Sequence, residues 1–240
     1  MKFVIRHAST SHSTNSDAIE LAHSGALDGT VVVADEQISG TGRHGREWHS
    51  PKGNLYFSAI IRRNLQVAEL SFVSSLAVGI TIEQIFETHT CSEKKALIRY
   101  KWPNDVIVDN KKISGVLIKT KMVGGTVDWA VCGIGVNMYA PPTYATSLKA
   151  HIPEFKLSNL ELLDMVLQNL DKLLNILTDM GFSHLRSLWL NRGPKLGDKI
   201  CIMTNSKGTV EGRFVDIDML GAIVLDSGSK ILTINYGEIL

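Results

Sequence analysis

The sequence predicts an α+β fold in which a mixed β-sheet packs against helices on one side and a small β-barrel follows. Three observations support this prediction. Strand-type runs separated by turn residues recur between residues 30 and 133, two long stretches have helical periodicity, and beyond residue 191 short strands alternate with glycine and serine. We therefore predict one domain over residues 1–191 and a second over residues 192–240.

The first half of the chain contains helix and strand signals in succession. Polar residues 13–17 offer N-cap side chains ahead of an apolar helical pattern that Gly25 ends. Residues 69–87 have the periodicity of an amphipathic helix. The predicted strands cover residues 30–34, 55–61, 96–100, 106–108, 115–121 and 127–133, with turns at residues 109–110 and 124–125.

The second half opens with a capping-box pattern, in which Ser158 is followed three residues later by Glu161. Leucine and valine then recur at helical spacing until Gly181, so we interpret this segment as a long core helix. Beyond residue 192, turn signals at residues 205–208, at Gly221 and at residues 227–228 separate short strands. This spacing predicts the small barrel.

Composition limits the classes of function. A chain of 240 residues with 44% hydrophobic residues can bury a full core, and its formal net charge is only +1. Proteins that bind along a phosphate backbone need a basic face, so we expect no sequence-specific binding to DNA.

The expected location is the cytoplasm. Serine, threonine and glutamate interrupt the most apolar region, around residues 70–86, so we expect no membrane span. The first ten residues lack the features of a signal peptide. Cys91, Cys132 and Cys201 are odd in number and far apart, which predicts reduced thiols and neither a disulfide framework nor a zinc site.

The strongest chemical signal is a glycine-rich loop at residues 40–48, which carries Arg43 and Arg46. Glycines allow backbone N–H groups to approach an anion closely, and guanidinium groups add charge and bidentate geometry. A second segment, residues 101–105, precedes Lys112. Together these segments indicate a site that holds two anions side by side, as in the activation of a carboxylate by a nucleotide.

Two other interpretations of the loop remain open. Its glycine spacing matches the dinucleotide-binding fingerprint, but that fingerprint requires the third glycine to open a helix, whereas residues 46–53 lead toward another strand. The loop is also compatible with a flexible surface segment that carries incidental arginines.

These segments resemble the biotin–protein ligases, which biotinylate carboxylases. The matching segments occur in that family's order and spacing: residues 13–15, Gln37, residues 40–48, 101–105, 112–115 and 133–137. The resemblance covers most of the chain and implies a class II synthetase-like catalytic domain followed by an SH3-like β-barrel. Because the motifs begin within the first fifteen residues, it also implies the monofunctional type, without the N-terminal DNA-binding domain of the family's repressors.

The resemblance implies a reaction in two steps. ATP converts biotin to biotinyl-5′-AMP with loss of pyrophosphate, and a lysine of a biotin carboxyl carrier protein domain then takes the biotin. Mg²⁺ is expected with ATP, although no residue can be named as its ligand. The protein is expected to be a monomer or a homodimer. The alternatives are a lipoate–protein ligase and a non-catalytic biotin-binding or regulatory protein.

The same resemblance implies roles for individual residues. Arg43 and Lys112 would neutralise the carboxylate and the α-phosphate, and Asp105 would orient Lys112 as the third catalytic residue. The implied biotin-binding residues are Ser13, Thr14, Asn15, Gln37, Gly40, Thr41, Gly42, Arg43, Lys112 and Gly115. The implied nucleotide-binding residues are Arg43, Arg46, Trp48, Asn104, Lys112 and Asn137.

Three positions depart from the family's usual pattern. Thr41 and His44 stand where the loop often carries arginine, and Lys119 stands where an acid is common. The charge of the loop is therefore lower than in many relatives. This difference bears on how tightly the intermediate is held rather than on the reaction itself.

Overall fold

The computed structural model describes residues 1–89, 96–204 and 208–240, so Cys91 and most of the predicted turn at residues 205–208 lie outside the described residues. A seven-stranded sheet contains β1 (Val4–Ser11), β2 (Thr30–Gln37), β3 (Leu55–Ile61), β4 (Ile98–Lys101), β5 (Asp105–Val108), β6 (Lys111–Val123) and β7 (Thr126–Val136). The helices are α1 (Thr14–His23), α2 (Val67–His89), α3 (Leu148–His151), α4 (Asn159–Met180) and α5 (Phe182–Leu190).

The order of the strands across the larger sheet is β1-β2-β3-β7-β6-β5-β4. Strands β1 and β2 run parallel, whereas every other neighbouring pair is antiparallel. This confirms the predicted mixed sheet. Strand β1 is an addition to the prediction, because its residues are mostly exposed and its sequence does not alternate between apolar and polar.

Helices cover both faces of the sheet, so the expectation of helices on one side is wrong. Side chains alternate along a strand. On β2, Val32 packs with Ala18 and Ala22 of α1, whereas Val31 and Val33 belong to the larger core that α2 and α4 cover. The central strands are buried on both faces, and the short helix α1 with its small alanine side chains covers the second face.

Helix α2 is the one helix of the described residues that is long and apolar enough to cross a membrane, and 78% of its most apolar window is buried inside the protein. Its buried side chains, among them Phe72 and Leu76, pack into the main core. This burial identifies α2 as the central core helix and agrees with the interrupted hydropathy of its sequence.

The predicted capping box forms at the start of α4. Ser158 Oγ accepts a hydrogen bond from the backbone N–H of Glu161 at 3.2 Å, and Glu161 Oε2 accepts one from the N–H of Ser158 at 2.7 Å. The helix ends at Gly181, whose φ of 75° suits a residue without a side chain. The boundaries of α4 therefore follow from local sequence, as predicted.

A separate antiparallel sheet follows, with the order β11-β10-β9-β8-β12. Its strands are β8 (Lys199–Thr204), β9 (Gly208–Ile217), β10 (Ile223–Asp226), β11 (Ile231–Ile234) and β12 (Glu238–Ile239). Five short antiparallel strands match the expected small SH3-like fold, although the pairings among the described residues form an open sheet. Trp102 joins the two sheets by donating from Nε1 to the carbonyl oxygen of Gly221 at 2.9 Å.

Candidate active site

A cavity of about 810 Å³ lies between the larger sheet, the glycine loop and the smaller sheet. Every residue of the predicted site lines this cavity except Gly40. Gly40 lies behind the wall, where an added Cβ would be 2.4 Å from Ser50 Oγ and 2.8 Å from Gln37 Nε2. Position 40 therefore requires glycine because any side chain there would clash with these neighbours.

One end of the cavity has a connected polar set that we call the polar end: Thr14, Gln37 and Ser58, which line the cavity, and Ser50, which holds Gln37 from behind the wall. Gln37 Oε1 accepts from the N–H of Thr14 at 2.9 Å and from its hydroxyl at 3.1 Å, while Gln37 Nε2 donates to Ser50 Oγ at 2.9 Å. The hydroxyls of Thr14 and Ser58 lie 3.0 Å apart. These bonds fix the side chains before any ligand binds. No sequence motif indicated Ser50 or Ser58.

Ser13 and Asn15 complete this end from helix α1. The Ser13 hydroxyl caps the helix by accepting from the N–H of Ser16 at 3.5 Å. Asn15 Nδ2 is buried and has no acceptor within the described part of the chain. Its nitrogen lies 2.7 Å from the place of a Cβ on Gly133, so a side chain there would displace it.

Glycines on the neighbouring strands β6 and β7 form the floor of the cavity. Gly115 lies opposite Gly135 in the strand register, and the indole of Trp48 covers both. A Cβ on Gly135 would be 2.5 Å from the indole, and one on Gly115 would be 3.0 Å from it. The glycines therefore let the indole lie against the sheet, and Trp48 Nε1 is buried without an acceptor in the region described.

Lys112 lies beside Trp48 and Asp105. Its Nζ is 2.7 Å from Asp105 Oδ1 and 5.2 Å from the centroid of the Trp48 ring. The Asp105 side chain is 9% exposed and that of Lys112 is 30% exposed. The ion pair expected from the sequence is thus present. It restrains the ammonium group while leaving part of it open to the cavity.

The glycine loop makes a tight turn that brings Arg43 into the cavity. His44 has a φ of 57°, in the left-handed region, and Gly45 has a φ of 74°. Arg43 Nη1 donates to Asn104 Oδ1 at 3.2 Å, and Arg43 Nη2 donates to the carbonyl oxygen of Gly237 at 3.1 Å. Burial lowers the pKa of the Arg43 guanidinium, so an anion placed beside it would offset the loss of hydration.

Arg46 contacts the smaller sheet through Glu238. Its Nη1 and Nη2 donate to the two carboxylate oxygens at 3.2 and 2.5 Å. This hydrogen bonding raises the pKa of Arg46. Burial acts to raise the pKa of Glu238, but the hydrogen bond and charge of Arg46 outweigh it, so this pKa is lowered. No sequence motif indicated Glu238.

The two asparagines of the predicted nucleotide set lie on either side of strand β6. Asn104 Nδ2 donates to the carbonyl oxygen of Val116 at 2.7 Å, which fixes its Oδ1 toward Arg43. Asn137 is 2% exposed, and its backbone N–H donates to the carbonyl oxygen of Ile113 at 2.9 Å. Both residues line the cavity near Lys112.

Two carboxylates of the cavity are engaged with cations. Within the described ranges there is no cluster of three or more histidine, cysteine, aspartate or glutamate side chains. In the cavity, Asp105 is paired with Lys112 and Glu238 with Arg46. We therefore assign no side chain of the described residues as a metal ligand.

Models of two protein families match this chain. The biotin/lipoate A/B protein ligase family matches residues 7–137, and the biotin protein ligase C-terminal domain matches residues 197–240. The family match thus contains the polar end and the glycine loop.

Several known proteins are similar over nearly the whole chain. A biotin–[acetyl-CoA-carboxylase] ligase from Paracoccus denitrificans is 33% identical, over 89% of this chain and 90% of that protein. The bifunctional ligase/repressor BirA of Bacillus subtilis is 30% identical, over 95% of this chain and 70% of that protein. The structure of a biotin protein ligase from Aquifex aeolicus in complex with biotin and ATP is 27% identical, with a TM-score of 0.82 over 98% of this chain and 97% of that chain.

Proposed function

Since this chain belongs to the biotin/lipoate A/B protein ligase family, we propose that it is an ATP-dependent biotin–protein ligase that biotinylates a carboxylase. One observation carries the proposal. A neutral, hydrogen-bonded polar set and a pair of partly buried cations, Arg43 and Lys112, line opposite ends of one cavity over a glycine floor. An elongated ligand with a polar head and an acidic tail fits this arrangement.

The polar end suits the ureido head group of biotin, which offers two N–H donors and one carbonyl acceptor. Ser13, Thr14, Asn15 and Gln37 supply hydroxyl and amide groups that serve as either partner. The buried Nδ2 of Asn15, which lacks an acceptor among the described residues, supplies a donor for the ureido carbonyl. The dithiolane ring of lipoate would leave this set unpaired, so the geometry favours biotin.

The cations bring two anions together. The biotin carboxylate attacks the α-phosphorus of ATP, the bond to the β-phosphate oxygen breaks, and pyrophosphate leaves with the electron pair. Arg43 and Lys112 neutralise the carboxylate and the α-phosphate, whose mutual repulsion otherwise opposes their approach. Asp105 acts as a positioning residue, because it holds the Lys112 ammonium group at 2.7 Å.

The remaining predicted residues serve the nucleotide and the loop. Asn104, Asn137, Arg46 and Trp48 line the nucleotide side, and the short residues Thr41, Gly42 and Gly115 shape the loop and floor against biotin. Gly40 serves biotin indirectly, because it lets the loop pack behind Gln37. In the second step the lysine amine of a carrier domain attacks the carbonyl carbon of the mixed anhydride, the bond to the phosphate oxygen breaks and AMP leaves.

The wider assignments belong to the same proposal. We place the domain boundary between residues 191 and 192, where the sequence changes from helical patterns to short strands separated by turn residues. The acceptor is a biotin carboxyl carrier protein domain, Mg²⁺ accompanies ATP through its phosphates, and the location is the cytoplasm. The net charge of +1 supports the absence of sequence-specific binding to DNA. The protein acts as a monomer or a homodimer.

Exchange of labelled pyrophosphate into ATP tests this function. We expect exchange that depends on biotin and ignores lipoate, because only biotin matches the polar end. Exchange with lipoate alone would establish the lipoate–protein ligase alternative, which belongs to the same family. Binding of biotin without exchange would indicate a non-catalytic regulatory protein.

A further inference from the structure

The wall of the cavity beside Lys112 is a loop segment and not a strand. We call residues 142–146 the wall segment; Tyr144 and Ala145 within it line the cavity. Ala145 forms an isolated parallel bridge with Lys112, and the N–H of Thr146 donates to the carbonyl oxygen of Lys112 at 2.9 Å. The wall segment is thus attached to the residue whose ammonium group the proposed reaction uses.

Behind the wall segment, Thr146 contacts a histidine of helix α3. The hydroxyl oxygen of Thr146 lies 2.9 Å from Nε2 of His151, and Thr146 is buried. Helix α3 is itself anchored, because the N–H of Leu148 donates to the carbonyl oxygen of Asn137 at 3.1 Å. Since buried hydroxyl groups are normally hydrogen-bonded, the contact with His151 fixes the rear of the wall segment to an anchored helix.

A carboxylate approaches the other nitrogen of the ring. Nδ1 of His151 is 3.6 Å from Oδ2 of Asp109. Asp109 lies in the turn between β5 and β6, where its φ is 46° and that of Asn110 is 65°, and its Oδ1 accepts from the N–H of Leu97 at 3.0 Å. This bond holds the carboxylate in place. The carboxylate favours the tautomer that carries its proton on Nδ1, which leaves Nε2 to accept from Thr146.

The hydrogen bond between Thr146 and His151 depends on the charge of the ring. Neutral His151 accepts the hydroxyl proton at Nε2, whereas a protonated ring can only donate there. The Thr146 hydroxyl would then have to turn, and within the described ranges its proton has no second acceptor. An unpaired buried donor costs free energy, so protonation weakens the attachment of the wall segment.

The surroundings of His151 favour its neutral form. Its side chain is 17% exposed, and its ring packs against that of Phe86 on α2, with centroids 5.9 Å apart. Burial lowers the pKa of His151 and outweighs the carboxylate of Asp109, which raises it, while the ammonium group of Lys111 lowers it further. Among the described residues, the charges that act on the ring are therefore Asp109 from the turn and Lys111 from β6, and α2 contributes the uncharged ring of Phe86.

We propose that His151 is a positioning residue of the candidate active site, which in its neutral form holds the wall segment against the strand of Lys112 and releases it when protonated. This inference rests on the proposed function and adds a dependence on pH that the chemistry of the cavity did not require. His151 does not line the cavity, so it acts through Thr146. Because burial favours the neutral ring, the loss should appear below about pH 6.5.

The test compares His151→Gln with His151→Leu in the whole protein. Glutamine places an amide oxygen near the position of Nε2 and accepts from Thr146 without titrating, whereas leucine cannot accept. At about pH 7.5, single-turnover formation of biotinyl-AMP should be within about twofold of wild type in His151→Gln and about fivefold slower in His151→Leu. At about pH 5, His151→Gln should be about fivefold faster than wild type. Titration of ATP and biotin is common to both proteins and cancels in this ratio.

Two further variants sharpen the test. His7→Gln is the matched control, because His7 also faces an aspartate, Asp35, at 2.7 Å but lies on the edge strand β1 and does not line the cavity. It should follow the pH profile of wild type. Asp109→Asn retains an acceptor for Leu97 and removes the charge that favours protonation, so it should move the acid loss to lower pH.

Hydrogen exchange of the ligand-free protein separates this inference from the proposed function. After correction for the intrinsic effect of pH, the amide of Thr146 should exchange about fivefold faster in wild type than in His151→Gln at about pH 5, and equally at about pH 7.5. If this difference is found but biotin supports no exchange of pyrophosphate, the function is removed and the hold of His151 on the wall segment stands.

Three results would overturn the role of His151. The first is an identical pH profile of wild type and His151→Gln in either the rate or the amide exchange. The second is an equal change in His7→Gln, which would assign the effect to titration of the protein as a whole. The third is a wild-type rate in His151→Leu at about pH 7.5, which would mean that the hydrogen bond to Thr146 does not position the wall segment.

Discussion

The two ends of the cavity are organised in different ways. At the polar end, Gln37 and Thr14 hold each other through hydrogen bonds between neutral groups. At the cationic end, Arg43 donates to two oxygens of the protein, and Arg46 is paired with Glu238 in the smaller sheet. The polar end is therefore preorganised for its ligand, whereas the cationic end already has protein partners that an incoming anion must replace or join.

This difference separates two requirements of the proposed reaction. Recognition of a neutral head group needs fixed donors and acceptors, since an unpaired buried group costs free energy. Neutralisation of two anions needs positively charged side chains that are held in position and are still accessible to the ligand. Variants at the polar end should consequently change the affinity for biotin, whereas variants at the cationic end should change the rate of adenylate formation or the stability of the ion pair.

Lys112→Ala should lower the single-turnover rate of biotinyl-AMP formation about a hundredfold, equivalent to ~2.7 kcal/mol. The variant removes charge from both the ground-state carboxylate and the transition state while leaving the polar end intact. Biotin affinity should fall much less than the rate. Quench-flow measurement of adenylate formation, with saturating biotin and ATP, gives the rate.

Lys111→Ala is the matched control, since Lys111 is exposed on the neighbouring position of β6 and does not line the cavity. It should retain the wild-type rate. Thermal unfolding of both variants separates a catalytic loss from a loss of structure, because Lys112→Ala leaves the carboxylate of Asp105 without its partner. A wild-type rate in Lys112→Ala would show that Lys112 serves only to pair with Asp105 and takes no part in adenylate formation.

Gln37→Met should weaken biotin binding about tenfold and leave nucleotide binding unchanged. Methionine has nearly the same shape as glutamine but makes none of its hydrogen bonds, so the hydrogen-bonding groups of Thr14 and Ser50 lose a partner at a cost of about 1–3 kcal/mol each at most. Calorimetric titration with biotin and with AMP measures both affinities. Gln66→Met, at an exposed position outside the cavity, is the control. An equal loss of AMP affinity in Gln37→Met would mean that the two ends are not independent.

The smallest effect is expected for the ion pair of Arg46 and Glu238, whose side chains are 58% and 28% exposed. A double-mutant cycle with Arg46→Gln and Glu238→Gln should give a coupling free energy of unfolding of at most about 1 kcal/mol. Because the pKa of Glu238 is lowered in the folded state, its contribution is present above about pH 4.5 and is lost as the pH falls below that value.

Chemical denaturation of the four proteins at pH 7 and at lower pH gives that coupling. A coupling free energy above about 1 kcal/mol, or one that persists in acid, would show that the ion pair of Arg46 and Glu238 is held as rigidly as the polar end.

Most of the fold follows from local sequence. Strand β3 has the predicted limits Leu55–Ile61, and α4 begins and ends at its predicted cap residues. Local patterns do not determine which faces of a sheet are covered, so the packing of α1 on the second face was missed. Strand β1 was missed because it is an exposed edge strand, and its formation depends on pairing with β2.

The candidate site was predictable where its residues lie in short motifs. The residues named from the glycine loop and from residues 101–115 line one cavity, apart from Gly40. The sequence did not indicate Gly237 or Glu238, because contacts between segments so far apart depend on how the two sheets pack.

The contact between Arg43 and Gly237 joins residues 194 positions apart. A chain that is synthesised from its N-terminus therefore holds the glycine loop long before the acceptor for its arginine exists. The entropy of closing this long loop must be lost before the contact can stabilise the fold. We therefore expect the anchoring of Arg43, unlike the pairing of Lys112 with Asp105 inside the larger sheet, to require that both sheets have formed.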